Sequence, residues 1–171
     1  GDAYEYLMRK FATESGKSKG QFYTPAEVSR ILANVVGISR CTDSSATVCD
    51  PACGSGSLLI RAVDAAPIPI MGFGQEKEST TAGLAKMNAV LHRKAEIIIK
   101  SGNTFSNPQY LDRNDNSILE RFDYIVANPP FSMKTGAMVL LVKSMVVSRV
   151  TEIHLRRRMA TMLGSCIFLR H

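Results

Sequence analysis

A chain of 171 residues with 45% hydrophobic content can bury one core of ordinary size, which predicts one domain or a piece of one and excludes a disordered protein. The formal charge of +6 at pH 7 suits a polyanionic partner such as DNA, since each neutralised phosphate releases counterions, although Arg156, Arg157 and Arg158 supply part of it from the tail. No apolar run is long enough to span a bilayer, and the start GDAYEYLMRK lacks the order of a signal peptide, so no membrane is expected and the cytoplasm is the expected compartment.

In chain order, GDAYEYLMRKFATES sets Tyr4, Leu7, Met8 and Phe11 at helical spacing and stops at Gly16, which predicts an amphipathic helix. GKSKGQFYTP follows as a polar, glycine-punctuated loop. Thr24 then supplies an N-cap, Pro25 the first helical position and Glu27 the residue three after the cap, predicting a helix from Pro25 to about Val36.

From Ala46 the pattern alternates. ATVCD reads as a strand, PACGSG as a loop, SLLIRAVDAA as a helix, PIMGFGQE as a strand and STTAGLAKMNAVLH as a helix. AEIIIK is the next strand, SGNTF a turn, then a polar loop runs through Asn116 to the strand FDYIVA. Strands alternating with helices predict an α/β, doubly wound, Rossmann-like parallel sheet, whose ligands bind beyond the carboxyl ends of the strands. The unusual residues fall at those ends: Asp50 to Gly56, Glu76, Gly102 to Phe105, and Asn128 to Phe131.

DPACGSG lies between a buried strand and a helix, where glycines let the backbone approach a ligand at a helix N-terminus. It is neither the GxGxxG of dinucleotide folds nor a Walker loop. Glu76, about twenty residues on, is placed to accept hydrogen bonds from ribose hydroxyls. Together they point to a nucleoside cofactor without phosphates; a tight turn beside a solvated glutamate is the bland alternative. GNTF would offer Asn103 or its backbone to an adenine edge with Phe105 beside the ring, or is a glycine turn closed by an Asx hydrogen bond.

In NPPF, Pro129 and Pro130 have no N–H to donate, so they end the strand ladder and leave carbonyl oxygens without intrastrand partners. Asn128 beside those carbonyls offers two acceptors converging on one point, with the face of Phe131 next to it. That arrangement fits a planar group bearing an NH₂; a strand that happens to end in a rigid turn is the alternative. Four cysteines, Cys41, Cys49, Cys53 and Cys166, form no CxxC pair and three histidines make no zinc-ligand cluster, so no metal is expected and the thiols read as small buried residues.

GQFYTP, DPACGSG and NPPF, in that order, resemble the amino-group DNA methyltransferases that make N6-methyladenine, and are most similar to the modification subunit of type I restriction-modification systems. The resemblance runs from Gly1 to about Met133. It implies S-adenosylmethionine as cofactor, with Gln21, Phe22, Tyr23, Thr24 and Pro25 closing over its methionine end. Asp50, Pro51, Ala52, Gly54, Ser55 and Gly56 would pass beneath it, Glu76 would hold the ribose, and Asn103 and Thr104 would stand near the adenine. Asn128, Pro129, Pro130 and Phe131 would receive the target adenine of double-stranded DNA, and a specificity and a restriction subunit would be the partners. Many relatives carry an aspartate where this chain has Asn103. Two other readings compete: a methyltransferase acting on the N5 of protein glutamine, which usually has tyrosine after the prolines and lacks GQFYTP, and a non-catalytic module that keeps the fold for binding.

The resemblance divides the chain into the end of a helical region and linker over 1–20, a partial catalytic domain over 21–134 and a tail over 135–171 without family motifs. MVLLVKSMVVSRV in that tail reads as an apolar helix or strand. Back-translated with suitable synonymous codons and read from the third codon base, MATMLGSCIF can give GDYAWVLHI and SMVVS can give YGRF, both similar to segments the family carries after NPPF. A reading-frame slip between Met133 and Thr135 is therefore expected, leaving the catalytic sheet incomplete, an unpaired edge prone to aggregation and the chain itself inactive. Sequencing the coding DNA beyond Asn128 tests this: a third-base frame that does not stay open would contradict it.

Overall fold

The computed structural model describes residues 24, 26–128, 135–145 and 167–170. The expected helix over 1–15, the loop through Tyr23, Pro25 and the Pro129-Pro130-Phe131 turn lie outside these residues, as does Cys166.

Helix α1, Ala26–Val36, turns Leu32, Ala33 and Val36 inward and carries Glu27 in its first turn, where the helix dipole favours an acid. A short 3-10 turn, Ile38–Arg40, leads to strand β1, Thr47–Asp50, whose Val48, Cys49 and Asp50 are all buried. That continuous burial belongs to a strand covered on both faces. Helix α2, Ser57–Ala65, buries Leu58, Leu59, Ile60, Ala62 and Val63. Strand β2, Met71–Glu76, helix α3, Ser79–Leu91, and strand β3, Ile97–Ser101, complete the next βαβ unit. Strand β4, Tyr124–Ala127, is buried along its length.

The sheet runs β3-β2-β1-β4-β5, with β5 at Ile167–Arg170. The first four strands are parallel, in the registers Cys49↔Phe73, Phe73↔Ile98 and Cys49↔Ile125. Asp123 strengthens the short β1–β4 pairing, its Oδ2 accepting from Thr47 N at 2.8 Å and Thr47 Oγ1 at 2.9 Å. Strand β5 is antiparallel to β4, from Tyr124↔Arg170 to Ala127↔Ile167. The four strands read from the sequence are thus parallel as expected, while the edge of β4, expected to be open, is paired with β5.

One face packs α1, α2 and α3 over a core of Leu32, Val36, Val48, Leu59, Val63 and Ala85. The other face is unusual, because the crossover from β3 to β4 carries no helix among residues 102–123. Tyr110 and Phe122 from that crossover cover it together with Val142 and Met145 of helix α4, Thr135–Met145. Edge-on aromatic contacts join Phe73 to Tyr110 at 5.5 Å and Tyr110 to Phe122 at 5.9 Å. The Tyr110 hydroxyl reaches the carbonyls of Gly74 at 3.0 Å and Ile98 at 2.8 Å, which ties the crossover to the sheet.

Close packing of β2 under α2 requires glycine. A Cβ on Gly74 would stand 2.5 Å from Ile99 Cδ1, 3.0 Å from Cys53 Sγ and 3.1 Å from Leu59 Cδ2. Gly74→Ala is expected to cost about 1–3 kcal/mol through overpacking, read as a lower melting temperature; an unchanged melt would show that this layer has slack.

Candidate functional site

All four parallel strands end at one rim. After β1 the chain turns through Asp50 to Gly56, and Gly54 and Gly56 take φ of 54° and 77°, left-handed values that favour glycine. Gly56 is also the N-cap of α2, and a Cβ there would lie 3.3 Å from that of Ala85. Asp50 is 1% exposed, and its Oδ1 accepts from Ala52 N at 3.0 Å. Burial pushes its carboxyl up to about 7; the Ala52 bond opposes this and the nearby charge of Glu76 adds to it. Cys53 lies buried in the same loop, where burial and then the charges of Asp50 and Glu76 hold the thiol pKa well above its ordinary value. Cys41 and Cys49 are likewise buried and unbridged.

Glu76, half-buried at the end of β2, braces this loop. Its Oε2 accepts from Gly54 N at 3.0 Å and its Oε1 from Glu78 N at 2.9 Å. The carboxylate is thereby held at the rim with lone pairs still available to accept from hydroxyl groups. Beyond β3, Asn103 closes its own turn: Oδ1 accepts from Phe105 N at 3.0 Å, and the carbonyl accepts from Asn107 N at 2.7 Å. The Asx turn that the sequence left as an alternative is therefore present, and Asn103 offers the rim a fixed loop backbone. Phe105 is 41% exposed beside it. Thr104 is buried and donates its hydroxyl to the Pro51 carbonyl, joining the loop after β3 to the loop after β1.

At the end of β4, half-buried Asn128 donates through Nδ2 to the Oγ1 of buried Thr24 at 3.3 Å. The two residues are 104 positions apart, and this contact sets Thr24 of the YTP segment against Asn128, the first residue of NPPF. The structure thus brings together Thr24, Asp50 to Gly56, Glu76, Asn103, Thr104 and Asn128; Gln21, Phe22, Tyr23, Pro25, Pro129, Pro130 and Phe131 lie outside the described residues. Two buried amides went unnoticed in the sequence. Gln75 fastens the loop after β3, and Asn88 of α3 donates from Nδ2 to the Ser55 carbonyl at 3.0 Å. The available signal was a polar residue at an inward position of an apolar element.

A cavity of about 230 Å³ opens at the opposite, amino ends of the strands among Arg40, Cys41, Thr42, Asp43, Ala46, Asp123 and Tyr124, and it contains none of the candidate site residues read from the sequence. Among the described residues there is no cluster of three or more histidine, cysteine, aspartate or glutamate side chains suited to a metal. No helix among them is long and apolar enough to cross a membrane.

The profile of the N-6 DNA Methylase family matches residues 1–145, running past the limit at Met133 read from the motifs. The methylase subunit of the type I restriction enzyme MpnII from Mycoplasma pneumoniae is 36% identical over 146 residues, covering 78% of this chain and 25% of that protein. The crystal structure of a type I restriction-modification methyltransferase subunit from Streptococcus thermophilus superposes with a TM-score of 0.64 at 33% identity, covering 78% of this chain and 28% of that one. The O-methyltransferase TomG from Streptomyces achromogenes, solved in complex with SAM, shares the fold at a TM-score of 0.64 and 13% identity, over 86% of this chain and 62% of its own. The chain spans about a quarter of the length of its type I relatives. With the family profile covering most of its length and the rim residues assembled in the order of the three motifs, this chain belongs to the N-6 DNA Methylase family.

Proposed function

We propose that the protein carrying this chain transfers a methyl group from S-adenosylmethionine to the N6 amino group of adenine in double-stranded DNA, as the modification subunit of a type I assembly with a specificity and a restriction subunit. The observation that carries this reading is the convergence at one rim of the Gly54–Glu76 brace, the Thr104–Pro51 tie and the Asn128–Thr24 contact. The residues suit the cofactor: a buried acid whose pKa is raised to about 7 gains from a nearby cation, and left-handed glycines let the backbone pass close beneath a ligand. When bound, S-adenosylmethionine supplies an already activated sulfonium methyl group.

Gln21 to Pro25 close over the methionine end, Asp50 to Gly56 support it, Glu76 accepts from the ribose and the Asn103–Thr104 turn borders the adenine ring. Asn128 Oδ1 and the Pro129 carbonyl accept the two hydrogens of the target amine. Its lone pair is otherwise delocalised into the ring, so these acceptors favour a more tetrahedral nitrogen and stabilise the positive charge that develops on it. Pro130 stiffens the turn, and alignment for in-line transfer replaces the need for a strong base. Flipping the base out of the duplex costs a few kcal/mol, and stacking on Phe131 returns about 1–3 kcal/mol of it.

A tritiated methyl donor tests the reading in a protein that carries the rest of the catalytic sheet. Label in duplex DNA is expected. Label in a protein glutamine instead, or cofactor binding with no transfer to DNA, would overturn it in favour of an amide methyltransferase or a binding module.

A further inference from the structure

The buried amide of Gln75 has no part in the chemistry above, yet both of its N–H donors and its carbonyl oxygen are engaged by one loop. Gln75 is 1% exposed on β2. Its Nε2 donates to the carbonyls of Gly102 at 2.9 Å and Asn107 at 3.0 Å, and its Oε1 accepts from Gln109 N at 3.0 Å. It faces the side of the sheet where the crossover lacks a helix, so no helical ladder holds this stretch. The amide replaces that ladder: a primary carboxamide offers two donors and an acceptor in one plane, matching two carbonyls and one N–H. Gly102, at φ 156°, gives the turn room, since a Cβ there would meet the Asn107 carbonyl at 3.0 Å.

We infer that Gln75 is a positioning residue that sets selectivity for the adenine ring of the cofactor by holding residues 102–109 in their binding shape. The inference rests on the reading of this loop as the adenine side of the cofactor site. The force passes along a short route. Gln75 fixes both ends of the loop, Asn103 and Thr104 lie between those ends, and Thr104 bonds to the Pro51 carbonyl of the loop under the cofactor. Without the amide, only a fraction of molecules would hold the loop ready, and apparent affinity falls by that fraction. Contacts at the methionine and ribose ends come from other elements and persist.

The test compares two ligands on this chain: S-adenosylhomocysteine and its hypoxanthine analogue, which differs only at the edge of the purine. Dissociation constants are measured by calorimetry for the parent, Gln75→Met and Thr104→Val. Gln75→Met keeps the side-chain volume without its hydrogen bonds, and Thr104→Val removes the tie to Pro51 while leaving β2 intact. The parent is expected to prefer the adenine ligand. Gln75→Met is expected to weaken that ligand about tenfold and the analogue much less, collapsing the preference, with Thr104→Val moving the same way. A merely structural role would weaken both ligands by one factor, and that result overturns the inference, as does an unchanged preference. Should Gln75→Met fail to fold, a preserved preference in Thr104→Val overturns it and a collapsed one supports it. A parent that binds neither ligand refutes the cofactor reading itself, a failure distinguishable from that of the role of Gln75.

Discussion

Asn128→Ala is expected to lower methyl transfer about 100- to 1000-fold, the loss seen when one preorganised group facing a developing charge is removed. The measurement is single-turnover transfer in a protein that carries the rest of the sheet. Cofactor affinity should fall far less than transfer, because Asp50, Glu76 and the Asn103 turn sit on other strands and Asn128 joins the proposed cofactor contacts through its bond to Thr24. Alanine also removes the donor to Thr24. Phe131→Ala should be milder, since on the proposed reading it removes only a base-stacking contribution of about 1–3 kcal/mol. Both variants turning over like the parent would sink the assignment of this corner as the target-base pocket.

Asp50→Asn is expected to stabilise the cofactor-free protein while weakening the cofactor. The carboxyl is buried, and its folded-state pKa is raised from 3.8 to about 7. A raised acid favours the protonated native state, so its contribution is fully present below the unfolded pKa and is lost as pH rises through the folded one. Between roughly pH 4 and 7 the parent therefore pays progressively for a buried charge, on the order of a few kcal/mol by pH 8, and the asparagine variant does not. Thermal melts of the two should coincide near pH 4 and separate with the variant higher near pH 8. Cofactor binding should show the opposite dependence. A cation placed beside Asp50 draws its pKa down, so affinity in the parent grows as pH rises toward 7, and that growth disappears in the variant. A variant that melts below the parent at pH 8 would mean that Asp50 acts through its bonds rather than its charge.

The strand ends were legible because the chemistry concentrates there. Glycines, prolines and lone polar residues interrupt apolar runs at Asp50, Glu76, Gly102 and Asn128, and each interruption is local in sequence. Element boundaries came within about two residues for the same reason, as with Ser57–Ala65 read as SLLIRAVDAA. What holds these ends together was not legible. The Gln75 contacts with Gly102, the Asn88 bond to Ser55 and the Thr104 bond to Pro51 span 27, 33 and 53 positions, and no local periodicity encodes them. Asn103 illustrates the competition directly: the same side chain suits a ligand edge or its own turn, and the turn uses it.

The tail was read as an apolar helix or strand, and the structure takes the helix over Thr135–Met145. MVLLVKSM is apolar except for Lys143 and Ser144, so its pattern could not separate helix from strand. The other face of the sheet decides: with no crossover helix, Tyr110 and Phe122 leave apolar surface that Val142 and Met145 of α4 complete, and Met145 O accepts from Phe122 N at 2.8 Å. Strand β5 then pairs with an edge that a motif-based reading left open.

The most direct test of the central claim is the identity of the modified nucleoside. Duplex DNA treated with S-adenosylmethionine and a protein that carries the rest of the sheet, together with its specificity subunit, then digested to nucleosides and separated against standards, is expected to contain N6-methyldeoxyadenosine, lost with Asn128→Ala. N4-methyldeoxycytidine in its place, or unmodified DNA from a protein that binds the cofactor, would contradict it.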